Sequence, residues 1–153
     1  GKTTIFDTLS PQFDGACFLA DIKENKNGLH SLQNILLTEL LRKTDNYVHN
    51  KEDGKRMIAR RLQFKKVLVV LDDIDHRDHL DYLAGDLCWF DKGSRIIATT
   101  RDKHLIGKND VIYEVTPLLK HDAIKLFQQY TFKEEVPGEC FKGLPLEVID
   151  HAK

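Results

Sequence analysis

Two uninterrupted apolar runs stand out from an otherwise mixed chain, Ala16-Cys17-Phe18-Leu19-Ala20 and Val67-Leu68-Val69-Val70-Leu71. Runs without polar alternation predict strands covered on both faces, as in a parallel sheet. Between them Leu29, Leu32, Ile35, Leu36, Leu40 and Leu41 recur at helical spacing, which predicts an amphipathic helix with Ser31 near its start. A polar stretch over residues 44–54 then gives way to a second helix over residues 55–64, with Met57, Ile58 and Leu62 facing inward. Past the second run, Asp75 is placed to cap a helix carrying Leu80, Leu83 and Leu87. Residues 94–101 (Ser-Arg-Ile-Ile-Ala-Thr-Thr-Arg) predict a third strand, residues 103–108 a short helix or turn, and residues 111–115 a fourth strand. Strands alternating with helices imply an α/β fold with a doubly wound, mostly parallel sheet.

The two ends of the chain read differently. Residues 3–9 predict a helix that Ser10-Pro11 stops early, followed by a turn at Phe13-Asp14-Gly15. Beyond Leu118 the pattern is helical only, with Ile124, Phe127 and Tyr130 on one face and Leu146, Val148 and Ile149 on another. The change of texture near Pro117 predicts a boundary between one domain over residues 1–116 and the start of a helical subdomain over residues 117–153.

Chemistry enters where the second run ends abruptly in Asp72-Asp73. Ligands of open α/β sheets bind at the carboxyl ends of the strands, so these carboxylates stand where a ligand would sit. The chain opens Gly1-Lys2-Thr3-Thr4, which matches the end of the phosphate-loop pattern G-x-x-x-x-G-K-[ST]. Such a loop is followed by a helix whose first amides and dipole favour phosphate, here at Gly1 to Thr4. Phosphoryl sites need a cation on the phosphates and a Mg²⁺ ion held by a hydroxyl and a carboxylate. Lys2 can supply the cation, Thr3 the hydroxyl and Asp72 the metal-binding carboxylate, while Asp73 can orient a water for attack. Arg101, just past the third strand, can reach a γ-phosphate; the alternative is a surface ion pair with Asp102. His76 and His79 lack a third ligand at fitting spacing and are expected to be solvated.

Composition narrows the partners. The 153 residues carry 23 basic against 24 acidic side chains, a net charge of −1, so nothing favours nucleic acid or a membrane surface. Five-residue apolar runs are far too short to span a bilayer. Three widely spaced cysteines (Cys17, Cys88, Cys140) are read as reduced thiols of an intracellular protein. A chain that begins within a motif and without Met is expected to be a fragment, lacking the strand that precedes a phosphate loop and correspondingly unstable.

The blocks Phe13–Leu19 with Gly28-Leu29-His30-Ser31-Leu32-Gln33, residues 66–75, 93–102 and 113–127 resemble, in that order, successive motifs of the NB-ARC domains of plant nucleotide-binding, leucine-rich-repeat disease-resistance receptors. Asp75 closing Leu-Asp-Asp-Ile-Asp is similar to the class with an N-terminal TIR domain. The resemblance implies a three-layer α/β/α P-loop NTPase domain followed by helical subdomains. It also implies an ADP/ATP switch with Mg²⁺, ADP-bound at rest and ATP-bound when active, with slow hydrolysis at most. Lys2, Thr3, Asp72, Asp73 and Arg101 then match the phosphate lysine, the Mg²⁺ hydroxyl, the Mg²⁺ aspartate, the hydrolytic aspartate and the γ-phosphate sensor. Implied partners are the TIR and leucine-rich-repeat domains of the same receptor and further copies on activation; the implied location is the cytoplasm and also the nucleus. The alternatives are a multiple-turnover ATPase and a non-binding remnant or scaffold. Residues 4–13 are shorter than in the family, and Gly143-Leu144-Pro145-Leu146 imitates the family's GLPL motif, which is itself expected after Lys153.

Overall fold

The computed structural model of the chain describes residues 2–42, 47–107 and 110–131, the last five by backbone alone. Gly1, parts of the loops expected at residues 44–54 and 103–108, the side chains of Phe127 and Tyr130, and all expectations for residues 143–153 lie outside this description.

Three parallel strands form the sheet among the described residues, in the order β1 (Gly15–Leu19), β2 (Val67–Ile74), β3 (Arg95–Thr100). Gly15 pairs with Val67 and Leu19 with Leu71; on the other side Leu68 pairs with Arg95 and Leu71 with Ala98. Parallel neighbours cannot be joined by a tight turn, so each connection travels through helix. Helices α2 (Leu29–Leu41) and α3 (Lys51–Leu62) link β1 to β2, and α4 (Arg77–Leu83) links β2 to β3, while α1 (Lys2–Leu9) precedes β1.

Side chains alternate across a strand, and β1 shows the consequence. Cys17 and Leu19 join the core with Leu36, Leu40, Ile58 and Leu62 from α2 and α3. Phe18 faces the other way and meets Phe6 of α1 edge-on, with ring centroids 5.5 Å apart. Helices therefore flank both faces of the sheet, as the expected α/β class requires. Every residue of β2 except Asp73 is buried, so the run read as the fully covered strand is the centre of this sheet.

Several boundaries and faces differ from the sequence reading. In α2 the inner face is Leu32, Gln33, Leu36, Leu37 and Leu40, whereas Ile35 is exposed. Ile35 lies two residues, about 200° of rotation, from Leu37, which puts it on the outside. Helix α3 begins at Lys51, four residues before the expected position 55. The Asn50 side chain accepts from the Asp53 amide at 2.9 Å, and Glu52 and Asp53 in the first turn complement the helix dipole. Gly54 is thereby inside a helix and buried, not loop punctuation.

His76, not Asp75, caps α4, its Nδ1 accepting from the Asp78 amide at 3.2 Å. Leu87 is exposed because α4 ends at Leu83 and the following tight turn (Leu87–Trp89) sends Trp89 and Phe90 inward instead. His76 is solvated as expected, but the His79 side chain is only 16% exposed, with Nδ1 3.5 Å from Asp75 Oδ1.

Residues 111–115 are not a strand. Val111, Tyr113 and Val115 are exposed, and none of residues 111–115 belongs to a ladder among the described residues. β-Branched and aromatic residues favour a strand only where a neighbour supplies the backbone partners. Helix α5 (Lys120–Thr131) follows in the expected place. By packing the chain forms two compact units, Gly1–Asp110 and Val111–Lys153. Among the described residues no helix is long and apolar enough to cross a membrane.

Candidate functional site

The carboxyl end of β2 is built around an irregularity. Leu71 pairs with Ala98 and Ile74 with Thr100, so Asp72 and Asp73 together stand opposite Thr99 alone. This two-against-one arrangement is a β-bulge, a device that re-aims side chains next to functional sites. Asp73 takes up the extra residue with φ 57°, a left-handed conformation that Asp tolerates better than most residues. Thr99 fastens the bulge. Its hydroxyl donates to Asp72 Oδ1 at 2.6 Å and accepts from the Asp73 amide at 2.9 Å. The next hydroxyl, on Thr100, donates to the Ile74 carbonyl at 2.7 Å and accepts from the Asp102 amide at 3.0 Å, which sets the loop carrying Arg101.

Cations from three other segments converge on this pair of carboxylates. Lys2, the first residue of α1, places Nζ 2.5 Å from Asp72 Oδ1. Lys23, in the short turn Ile22–Glu24 after β1, places Nζ 2.5 Å from Asp73 Oδ2. Arg101 lies farther off, with Nε 3.9 Å from Asp73 Oδ1 and a side chain 87% exposed. The ion pair recorded for Arg101 thus runs to Asp73 and not to Asp102.

Electrostatics follow from these contacts. Burial pushes the Asp72 carboxyl up, but hydrogen bonds from Lys2 and Thr99 outweigh it and hold the group below the usual carboxylate range. For Asp73 the Lys23 ammonium dominates, against the cost of burial, and the result is again a lowered value. Both carboxylates are therefore ionised at neutral pH.

Of the residues singled out from the sequence, Lys2, Asp72, Asp73 and Arg101 meet at one place. Thr3 and Thr4 follow Lys2 on the first turn of α1 and are exposed; the Thr4 carbonyl accepts from the Thr8 hydroxyl at 2.8 Å. Gly1 is outside the described residues. Lys23 and Thr99 were not picked as site residues, although one signal was available for Lys23. In a parallel sheet every strand points its carboxyl end the same way, so the loop after β1 falls beside the end of β2. No three His, Cys, Asp or Glu side chains converge on a metal position among the described residues.

Comparison with known proteins identifies the family. Residues 1–137 match the NB-ARC domain family. The whole chain aligns with TMV resistance protein N of Nicotiana glutinosa at 65% identity over 164 residues, and with disease resistance-like protein DSC1 of Arabidopsis thaliana at 39% over 160 residues. Disease resistance protein RUN1 of Vitis rotundifolia follows at 36% over 162 residues. The chain spans only 14%, 13% and 12% of the length of these three relatives. The first alignment sets 164 positions against 153 residues, so at least 11 of its positions have no counterpart in this chain.

Proposed function

The chain belongs to the NB-ARC family, a P-loop NTPase-type domain, and from that premise we propose that it is the adenine-nucleotide switch of an intracellular plant immune receptor. The observation that carries the reading is the Lys2–Asp72 ion pair. A lysine at a helix start and an aspartate at a buried strand end, 70 positions apart in sequence, meet directly. These are the two charges that a phosphate-and-magnesium site must bring together.

The donor set suits the implied ligands. Lys2 would bind the β- and γ-phosphates, and the backbone amides of Thr3 and Thr4 in the first turn of α1 would face phosphate oxygens. Thr3 and Asp72 would hold Mg²⁺ with hard oxygen atoms, which fits an ion that arrives with its nucleotide and keeps much of its water. Mg²⁺, when bound, neutralises charge on the phosphates. Asp73 orients the attacking water and Arg101 reports the γ-phosphate. Because Lys2 rests on Asp72, nucleotide entry exchanges one ion pair for another, and the site remains close to neutral without ligand.

ADP at rest and ATP when active is the switch cycle this site serves, with hydrolysis slow. Residues 1–116 form the nucleotide domain and residues 117–153 begin the helical subdomain. The matched relatives are named as resistance proteins and are many times longer than this chain, which supports a role in resistance within a larger protein. In this reading the TIR and leucine-rich-repeat domains of the same receptor act on the switch. Further copies assemble on activation, and the receptor works in the cytoplasm and the nucleus. A turnover assay tests the switch. Single-turnover conversion of ATP with ADP retained is expected, and rapid multiple turnover would replace the switch with a motor. One observation favours a non-binding scaffold: α1 spans eight residues and buries none of them.

A further inference from the structure

Lys23 has no part in the phosphate-loop logic, yet it makes the closest contact to Asp73, at 2.5 Å. Its side chain is 30% exposed against 87% for Arg101, whose approach to the same carboxylate is 3.9 Å. The more covered and closer cation is the one that fixes Asp73. The backbone on both sides is committed to this meeting. Asp21, just before the turn that carries Lys23, has φ 47°, and Asp73 itself has φ 57°. Two non-glycine residues in the left-handed region, each costing on the order of 1 kcal/mol, are retained where the surrounding structure over-determines them. The turn is pinned from beneath by Ile22, which is buried in the core beside Leu19 and Ile74.

We propose that Lys23 is a positioning residue for hydrolysis, holding Oδ2 of Asp73 so that Oδ1 alone is presented to the attacking water. The inference rests on the nucleotide-binding reading and adds to it a residue outside the phosphate loop. The charged groups around Asp73 are Lys23 from the turn after β1, Arg101 from the loop after β3, and Asp72 with its partner Lys2. Lys23 and Arg101 approach different oxygens of the carboxylate. Freed from Lys23, the carboxylate rotates about its own bond and follows the exposed Arg101 instead. A misplacement of about 1 Å at a reacting group is enough to cost ~100-fold in rate.

The test is single-turnover hydrolysis of Mg-ATP by the protein and by Lys23→Met and Lys23→Arg, with ADP affinity and melting temperature measured on each. The expected result is a rate about 10- to 100-fold lower for Lys23→Met. ADP affinity should be unchanged, and melting should fall by no more than about 2–4 °C, as loss of one part-exposed ion pair implies. Lys23→Arg should recover most of the rate because it keeps the charge and the reach. An unchanged or faster rate in Lys23→Met overturns the proposal, as does a slower rate matched by weaker ADP binding, or one that Lys23→Arg fails to recover although it restores the melting temperature. Hydrolysis absent from the unaltered protein despite tight ADP binding overturns it too. Absence of ADP binding by the unaltered protein is a different outcome, and defeats the nucleotide reading itself.

Discussion

Gly54→Ala tests the packing among α2, α3 and α4. Alanine in place of glycine inside a helix ordinarily stabilises by about 0.5–1 kcal/mol. Here the added Cβ would lie 1.9 Å from Gln33 Oε1, 2.3 Å from its Cδ and 2.9 Å from its Nε2. A glutamine amide is the far end of a flexible side chain, and on the surface it would simply move. Gln33 is fully buried, however, and its Nε2 donates to the carbonyls of Lys51 and Tyr82, both at 2.9 Å. That one amide ties α2 to the first turn of α3 and the end of α4. Displacing it by more than an ångström breaks both bonds, and each buried group left unsatisfied costs about 1–3 kcal/mol. After subtracting the helix gain, the expected net loss is about 1–5 kcal/mol.

Urea unfolding followed through Trp89, the only tryptophan and a buried one that packs beside α3, reads this directly. The decisive arm is the same substitution in a Gln33→Ala background. With the amide gone, Gly54→Ala should change sign and stabilise by about 0.5–1 kcal/mol. A neutral or stabilising effect in the native background, or an equal loss in both, would refute the reasoning.

Thr99→Val keeps the shape of the side chain but removes both hydrogen bonds that fasten the bulge. It should destabilise by about 1–3 kcal/mol and weaken Mg-dependent nucleotide binding more than Mg-free binding, measurable by calorimetry with and without chelator. Acidification should act in two stages. Burial, opposed by attraction to Asp75, lowers the His79 pKa from 6.5, so the unfolded chain takes up this proton first and stability falls as pH drops below about 6.5. Asp72 and Asp73, both lowered from 3.8, contribute stability that is complete above that value and lost as pH falls further through their folded pKa values. His79→Gln should remove the first stage and leave the second, in melting temperatures recorded across the pH range.

The parts of this fold that depend on local pattern were legible. The unbroken apolar run at Val67–Leu71 announced a strand covered on both faces, and its Asp-Asp ending is where Lys2, Lys23 and Arg101 converge. Leucine spacing gave α2 nearly to the residue. What escaped depends on partners that sequence does not display. Gly54 looks like loop punctuation until Gln33 is seen to need the space of its missing side chain. Asp72 and Asp73, as consecutive residues of a regular strand, should point to opposite faces; only the bulge against Thr99 lets cations at the strand end reach both. Residues 111–115 have strand composition but no ladder partner among the described residues, and composition alone cannot supply one. Lys23 carried no motif, and only the shared direction of parallel strands could have placed it beside Asp73.

The measurement that bears most directly on the central claim is equilibrium binding of Mg-ADP to the protein and to its Lys2→Ala variant. The account predicts tight binding that is lost, by 100-fold or so, when the ammonium is removed, with the fold retained. Binding of equal strength in both proteins, or none in the folded unaltered protein, would contradict it.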